Sequence, residues 1–322
     1  MYNTLFSLVD FVKLLGNSTR SVIGVSGGID SIALLHQIQS YRDKLSHDFE
    51  AVHVDHGINA ESRNWAEFVR EYCRKIDLPC TVKIVDVPRV KNLELAARKA
   101  RYAAFSELNF ETLIMGHHAN DQIETFFMKL MRGAGVRGLR AMSSRTECWF
   151  DHRKTIIRPM IERTRMDIEY YASLHGLSHV EDASNADIRF DRNWVRHVLI
   201  PTILDRYSIA DVNILKSIEI QSETYDLLED LAEIDSEFCM ISEGIYDWRK
   251  VRDLSHRRIK NLVLYICHNH NITDISTHSI EMFVTGIKNS DEMGKNEFKL
   301  RTFAIRKVGE QLRVVKLDPI IR

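Results

Sequence analysis

Six consecutive residues, Ser26-Gly27-Gly28-Ile29-Asp30-Ser31, carry the clearest chemistry in the chain. Gly27 and Gly28 have no Cβ, so their N–H groups can come close to a ligand, and a helix starting just after them adds the positive end of its dipole. Phosphate suits such a loop. A bare Asp30 carboxylate would repel phosphate unless a divalent cation bridged the two, so the string implies Mg2+ held through Asp30. Ser-Gly-Gly alone reads as an ordinary turn; the full string after an apolar strand reads as an anion loop. No Gly-Lys-Ser/Thr ending occurs anywhere, which disfavours the ordinary phosphate-loop NTPases.

A second constellation is Gly116-His117-His118 followed by Asn120-Asp121-Gln122-Ile123-Glu124-Thr125. Asp121 and Glu124 are three apart and so share a face at the first turn of a helix. Either acid alone is explained by the helix dipole. Together, following Gly-His-His at a ligand edge, they form a set that the dipole does not explain. His53, His56, His117 and His118 fit nucleotide contact or plain packing better than zinc, because the pairs come from strand ends and no cysteine or third close ligand joins them. Arg98 and Arg101 share a helix face. Arg192 and Arg196 lie one turn apart, placed to grip phosphate or carboxylate through two-pronged hydrogen bonds.

These groups need a scaffold that brings distant segments to one edge. Val22, Ile23 and Val25 favour a first strand, and Ser31 suits the cap of a helix carrying Ile32, Leu34, Leu35 and Ile38. Phe49–Asp55 reads as a second strand, Glu61–Ile76 as a helix, Val82–Val87 as a third strand, Leu93–Leu108 as a helix and Thr112–Met115 as a fourth strand. Such alternation predicts an α/β fold, a doubly wound parallel sheet with helices on both faces. Ligands gather beyond the carboxyl ends of its strands, where Ser26–Ser31, Asp55–Gly57 and His117–Asp121 all fall. A formal Gly-x-Gly-x-x-Gly at Gly133–Gly138 follows a helical pattern rather than a strand, so it is not a dinucleotide fingerprint.

The chain of 322 residues, 44% hydrophobic and 28% charged, has room for two domains. Met1–Leu15 includes Asp10 and lacks a basic leader, so it reads as a packed helix, and no apolar run reaches membrane-spanning length. A cytoplasmic protein with no membrane partner is expected. Its five cysteines form no Cys-x-x-Cys pair and read as reduced fillers. The net charge of −1 is not that of a general nucleic-acid binder, but four arginines and no acid lie between Arg132 and Arg145. A local basic surface fits that run.

Ser26–Ser31 resembles the pyrophosphate loop of the N-type ATP pyrophosphatases, and more of the chain resembles one branch of them, the tRNA(Ile)-lysidine synthetases. The likeness rests on His117-His118-x-x-Asp121-Gln122-x-Glu124-Thr125, the Glu94–Tyr102 helix with Arg98 and Arg101, Arg132–Leu139, Ile157-Arg158-Pro159, Asp182-x-Ser184-Asn185 and Arg192-Asn193-x-x-Arg196, spanning roughly Ser21–Pro201. Many members have Asp where this chain has Asn120. The resemblance implies ATP and Mg2+ as cofactors, and free L-lysine and tRNA(Ile) with a CAU anticodon as substrates. It implies adenylation of the wobble cytidine and coupling of lysine to C2, with AMP and diphosphate released, so that AUA is read in place of AUG. On that basis Asp30, Arg98, Asp121, Glu124 and Arg192 are the catalytic candidates. Ser26, Gly27, Gly28, Ile29, Asp30, Ser31, His53, Asp55, Arg101 and His117 are the nucleotide candidates, with Asp30 and Asp121 on the metal. Arg132–Leu139 then reads as a basic loop facing RNA. The expected domains are residues 1–203 for catalysis, 204–240 as a linker helix, and 241–322 as a smaller, mainly helical tRNA-binding domain. That last domain ends in a hairpin turning at Gly309, with Arg249, Lys250, Arg252, Arg257, Arg258 and Lys260 as phosphate contacts or a solvated face. The further C-terminal domain of longer members has no counterpart among these residues. The oligomeric state is left open, a homodimer included.

Overall fold

Val22 and Ile23 are wholly buried, and as successive strand residues they point to opposite faces of a sheet. Val22 packs with Tyr102, Phe105, Leu113 and Ile156, whereas Ile23 packs with Ile32, Leu35, Ile114 and Ile157. A strand covered on both faces reads as a continuous apolar run, which is why this segment shows no polar alternation. The computed structural model describes residues 3–59, 61–88, 93–270, 275, 277–289, 297–299 and 303–317.

In chain order the first elements are α1 (Leu8–Leu15), β1 (Arg20–Gly24), α2 (Ile29–Arg42), β2 (Asp48–Asp55), α3 (Ser62–Lys75), β3 (Cys80–Ile84), α4 (Leu93–Ser106), β4 (Thr112–Ile114) and α5 (Ala119–Leu130). There follow α6 (Val136–Leu139), β5 (Arg145–Cys148), β6 (Asp151–Ile157), α7 (Arg165–Leu174), α8 (Asp191–Trp194), a π turn over Val195–Leu199, α9 (Ile200–Arg206) and α10 (Ala210–Cys239). Two compact units divide the chain, residues 1–221 and 222–322.

The first unit holds a six-stranded sheet in the order β3-β2-β1-β4-β6-β5, parallel except for β5, which runs antiparallel to β6. Ile23 pairs with Ala51 on one side and Ile114 on the other. The chain lays β2 and β3 on one flank of β1, then crosses to lay β4 on the other. The gap between β1 and β4 is therefore the switch point where ligands settle in such sheets. Ile23, Ile32, Leu34 and Leu35 are fully buried, each worth about 1.5–3 kcal/mol by its removal from water. The expected packed helix at the start is α1, capped by Ser7, whose hydroxyl accepts from the Asp10 N–H.

The second unit contains the end of α10 and β7 (Met240–Ser242), β8 (Ile245–Asp247), α11 (Trp248–Asp253), α12 (His256–Asn269), α13 (Thr277–Asn289), β9 (Glu297–Lys299), β10 (Phe303–Val308) and β11 (Gln311–Lys316). The expected hairpin is β10–β11, with Gly309 at φ +62° in its turn. It is part of a five-stranded antiparallel sheet, order β7-β8-β11-β10-β9. Trp248, Ile259, Leu262 and Val284 form its core. The sequence reads as a helix over Ser276–Ile287 and a first hairpin strand over Phe298–Lys307; of these, Ser276 and residues 300–302 lie outside the described residues. Among the described residues no helix is long and apolar enough to cross a membrane.

Candidate functional site

The loop after β1 is shaped by one hydroxyl. Ser31 Oγ accepts from the N–H groups of Ser26 (3.2 Å) and Gly27 (3.1 Å) and donates to the carbonyl of Gly28 (2.9 Å). Ser31 is therefore not the helix cap expected from its residue type; Gly28 holds that position in extended backbone, and Ser31 folds the loop from inside the first turn. Gly27 sits at φ +92°, and a Cβ there would meet Val180 Cγ2 at 2.8 Å. Its carbonyl accepts from the Val180 N–H at 3.0 Å, so the segment after α7 closes over the loop.

Across the switch point, Gly116 lets β4's end press on this loop: a Cβ there would lie 3.3 Å from the Asp30 carbonyl oxygen. His118 then caps α5, its N–H donating to Asp121 Oδ2 at 3.0 Å. The buried ring puts Nε2 3.6 Å from Asp30 and 3.5 Å from Asp121, so one imidazole stands between the two expected metal carboxylates. Asp30 also takes both its oxygens to Arg165 Nη1, at 3.0 and 2.9 Å.

Arg192 and Arg196 reach the same cluster from α8 and the π turn. Arg192 donates from Nε to Glu124 (2.6 Å) and from Nη2 to Asp121 (2.6 Å); Arg196 donates to both Glu124 oxygens (2.5 and 3.1 Å). The Glu124 side chain has no exposed surface. Short π segments of this kind mark sites where a side chain must be re-aimed out of helical register. Phosphate or substrate carboxylate, expected on these arginines from their spacing, would have to share them with Asp121 and Glu124.

Three carboxylates (Asp30, Asp121, Glu124) thus face three guanidinium groups (Arg165, Arg192, Arg196), leaving no surplus positive charge for a triphosphate. Burial pushes the Asp30 carboxyl up, against the opposing pull of His118 and Arg165. For Asp121 burial also acts upward, but His118, Arg192 and His117 outweigh it and hold its carboxyl low. Burial drives His117 down to about 3, with Arg158, Arg192 and Arg101 adding to the effect, so its imidazole is neutral. Its Nδ1 and that of His118 are buried without hydrogen-bond partners among the described residues.

Asp30 and Asp121, flanking one ring, suit a hard cation that takes one or two carboxylates and completes its shell with water and phosphate oxygens, as Mg2+ does. Among the described residues no three His, Cys, Asp or Glu groups converge on a common point, so such a cation would arrive with the nucleotide.

The remaining candidates lie on the β2 side. His53 is buried and its Nδ1 meets the Val25 carbonyl at 2.9 Å, which braces the loop's entry. Asp55 accepts from the Gly57 N–H at 2.8 Å. Arg98 and Arg101 both stack on the Tyr102 ring, at 5.1 and 5.8 Å. A cavity of about 770 Å³ opens beyond β2 and β3, lined by His56, Gly57, Asp86, Val87 and Leu93. The sequence reading assigned no role to Arg165, and took His118 for nucleotide contact or packing rather than a contact between Asp30 and Asp121. Arg165 did carry a signal: a cation in the first turn of a helix opposes the dipole and needs an anion to hold it. The five cysteines are free, and Cys80 alone is not fully buried.

A family model described as the PP-loop domain matches residues 6–203. The tRNA(Ile)-lysidine synthase of Nitrosomonas europaea is 33% identical over 89% of this chain and 63% of its own length. That of Legionella pneumophila is 30% identical over 97% of this chain and 72% of its own length. That of Vibrio cholerae is 36% identical over 66% of this chain, which spans about half (48%) of that relative. The U34-tRNA thiolase NcsA from Methanococcus maripaludis, solved with its [4Fe-4S] cluster, shares the fold at a TM-score of 0.51 and 15% identity, over 66% of this chain and 77% of its own. With a pyrophosphate-type loop at the switch point of a parallel sheet and these relatives along nearly its whole length, the chain carries a PP-loop ATP-binding domain and belongs to the tRNA(Ile)-lysidine synthase family.

Proposed function

We propose that the chain ligates free L-lysine to C2 of the wobble cytidine of tRNA(Ile) with a CAU anticodon, using ATP in two steps. The observation that supports this best is the meeting, at one switch point, of loop amides suited to pyrophosphate with a buried carboxylate–arginine cluster suited to an amino acid and a phosphate. In the first step the cytidine C2 oxygen attacks the α-phosphate and diphosphate leaves. The dipole of α2 receives the departing anion, and the N–H groups of Ser26, Gly27 and Gly28 join it by giving up the Ser31 and Ser26 hydroxyls they donate to. Asp30 and Asp121 would hold Mg2+, which would supply the charge neutralisation that the balanced cluster lacks. Arg98 and Arg101 add cations on the α4 side, and His53, Asp55 and His117 complete the nucleotide's walls.

In the second step the ε-amine of lysine attacks C2 and AMP leaves. That amine has a solution pKa of about 10.4 and must lose a proton before it can attack. Asp121, facing the same edge, orients the ammonium group and takes its proton as the amine attacks C2. Glu124, wholly buried between two arginines, acts with it by fixing Arg192 and Arg196 for the carboxylate of lysine or the phosphate of the intermediate.

Incubation with labelled ATP, lysine and total tRNA tests this reading: lysine joined to RNA is expected, and sulfur transfer or binding without turnover counts against it. Asp30→Ala is expected to abolish tRNA-dependent diphosphate release while leaving the fold intact; retained release removes the metal role from Asp30.

A further inference from the structure

We propose that Arg165 is a pyrophosphate-binding residue that waits on Asp30 and is released to the nucleotide when the metal takes that carboxylate. The inference rests on the reading of the loop as a Mg2+–ATP site. Arg165 Nη1 touches both Asp30 oxygens, so a cation must compete with this guanidinium for the carboxylate. The pair is easily parted: the side chains are 40% and 30% exposed, and ion pairs in contact with water bind weakly.

Parting them leaves Arg165 in place. Its Nε donates to Glu169 at 2.8 Å, and its backbone N–H donates to Asn120 Oδ1 at 2.8 Å. One residue earlier in α5, the Ala119 N–H donates to the Arg163 carbonyl at 2.7 Å, so the start of α7 is tied to the start of α5 at two points. The head of Arg165 is thereby kept beside the loop whatever Asp30 does. Asn120, which departs from the acid common in the family, still supplies the oxygen this tie needs.

A cation in the first turn of α7 opposes the helix dipole, and Glu169 alone is one turn further along. With Asp30 turned to a metal, Arg165 would keep Glu169 on its Nε and have Nη1 free for a phosphate of the bound nucleotide. Arg165 and the metal therefore compete for Asp30 when no phosphate is present and cooperate when it is.

Those two regimes give effects of opposite sign in Arg165→Gln. Mn2+ alone, followed by electron paramagnetic resonance, is expected to bind several-fold more tightly than to the unaltered chain, because its competitor is gone. Mg2+–pyrophosphate, followed by calorimetry, is expected to bind about tenfold more weakly, the loss of one charge-assisted contact. Arg165→Lys restores part of the second affinity. If pyrophosphate affinity is unchanged, or both affinities fall together as a damaged loop would make them, the proposal is overturned. If the unaltered chain binds Mg2+–pyrophosphate but the variant shows no split, only the role of Arg165 fails; if the unaltered chain binds none, the ATP-site reading fails with it.

Discussion

His117 shows how burial decides a residue's charge. In the unfolded chain its imidazole takes up a proton near 6.5, and in the folded chain only near 3. Between those values the unfolded state binds the extra proton, so its contribution to stability is complete above the unfolded value and is lost as pH falls, at up to about 1.4 kcal/mol per pH unit. Urea midpoints measured from pH 7 down to pH 4 should fall, and His117→Asn should flatten the fall; an unchanged slope would count against the assignment. His53 and His56, both lowered first by burial, act in the same direction. Glu124→Gln leaves two arginines short of an anion, and breaking a buried pair of this type costs about 3 kcal/mol. The same change is expected to slow lysine transfer more than adenylation in single-turnover measurements, and equal slowing of both steps would refute the role given to Glu124. Of these residues, Asp30 stood out in its glycine loop, Asp121 and Glu124 in their three-residue spacing after a strand end, and Arg192 in lying one turn before Arg196. Arg165 did not, because its partner lies 135 positions away and only the folded chain brings the two together.

At the scale of the elements, the loop after β1 depends on backbone that only glycine adopts freely. Gly27→Ala must place a side chain at φ +92° and against Val180, which costs about 1–3 kcal/mol. Its measurable outcome is a lower melting temperature together with loss of ATP binding, whereas Gly133→Ala, at φ +70° but with nothing within 4 Å, should spare ATP binding. The alternation of β1, α2, β2, α3, β3, α4 and β4 was readable because each strand is an apolar run covered by a helix. The third strand lay earlier than its apolar residues suggested, at Cys80–Ile84 rather than Val82–Val87, because pairing with β2 sets its register through Ala51 and Cys80. Strands β5, β6, β7 and β8 escaped notice: β5, β7 and β8 have only three or four residues, and β6 begins on the polar run Asp151-His152-Arg153-Lys154, so none shows an apolar strand pattern.

For the whole molecule, a net charge of −1 means that any grip on RNA is local. Several basic groups expected to touch phosphate are satisfied within the second unit: Arg258 pairs with the buried Asp235, Arg249 with Glu310, and Lys260 with Glu281 at 3.2 Å. The run from Arg132 to Arg145 is the better candidate, with Arg132 exposed beside Gly133. Replacing Arg132 and Arg137 together by alanine should weaken tRNA binding and reduce the slope of log K against log salt by about 2, as expected for two lost phosphate contacts. An unaltered slope would move the RNA path elsewhere. The chain divides between residues 221 and 222, inside α10, where no residue type marks a boundary; the change of pattern after Pro201 suggests a linker helix over residues 204–240 instead. The stretch Val195–Leu199 winds one residue wider than an ordinary helix, and Arg196 stands within it. Dropping a single codon there would tighten the coil and swing Arg196 and α9 round by about 100°. Chains that share this arrangement will therefore accept exchanges of residue along that stretch far more readily than any change in its length.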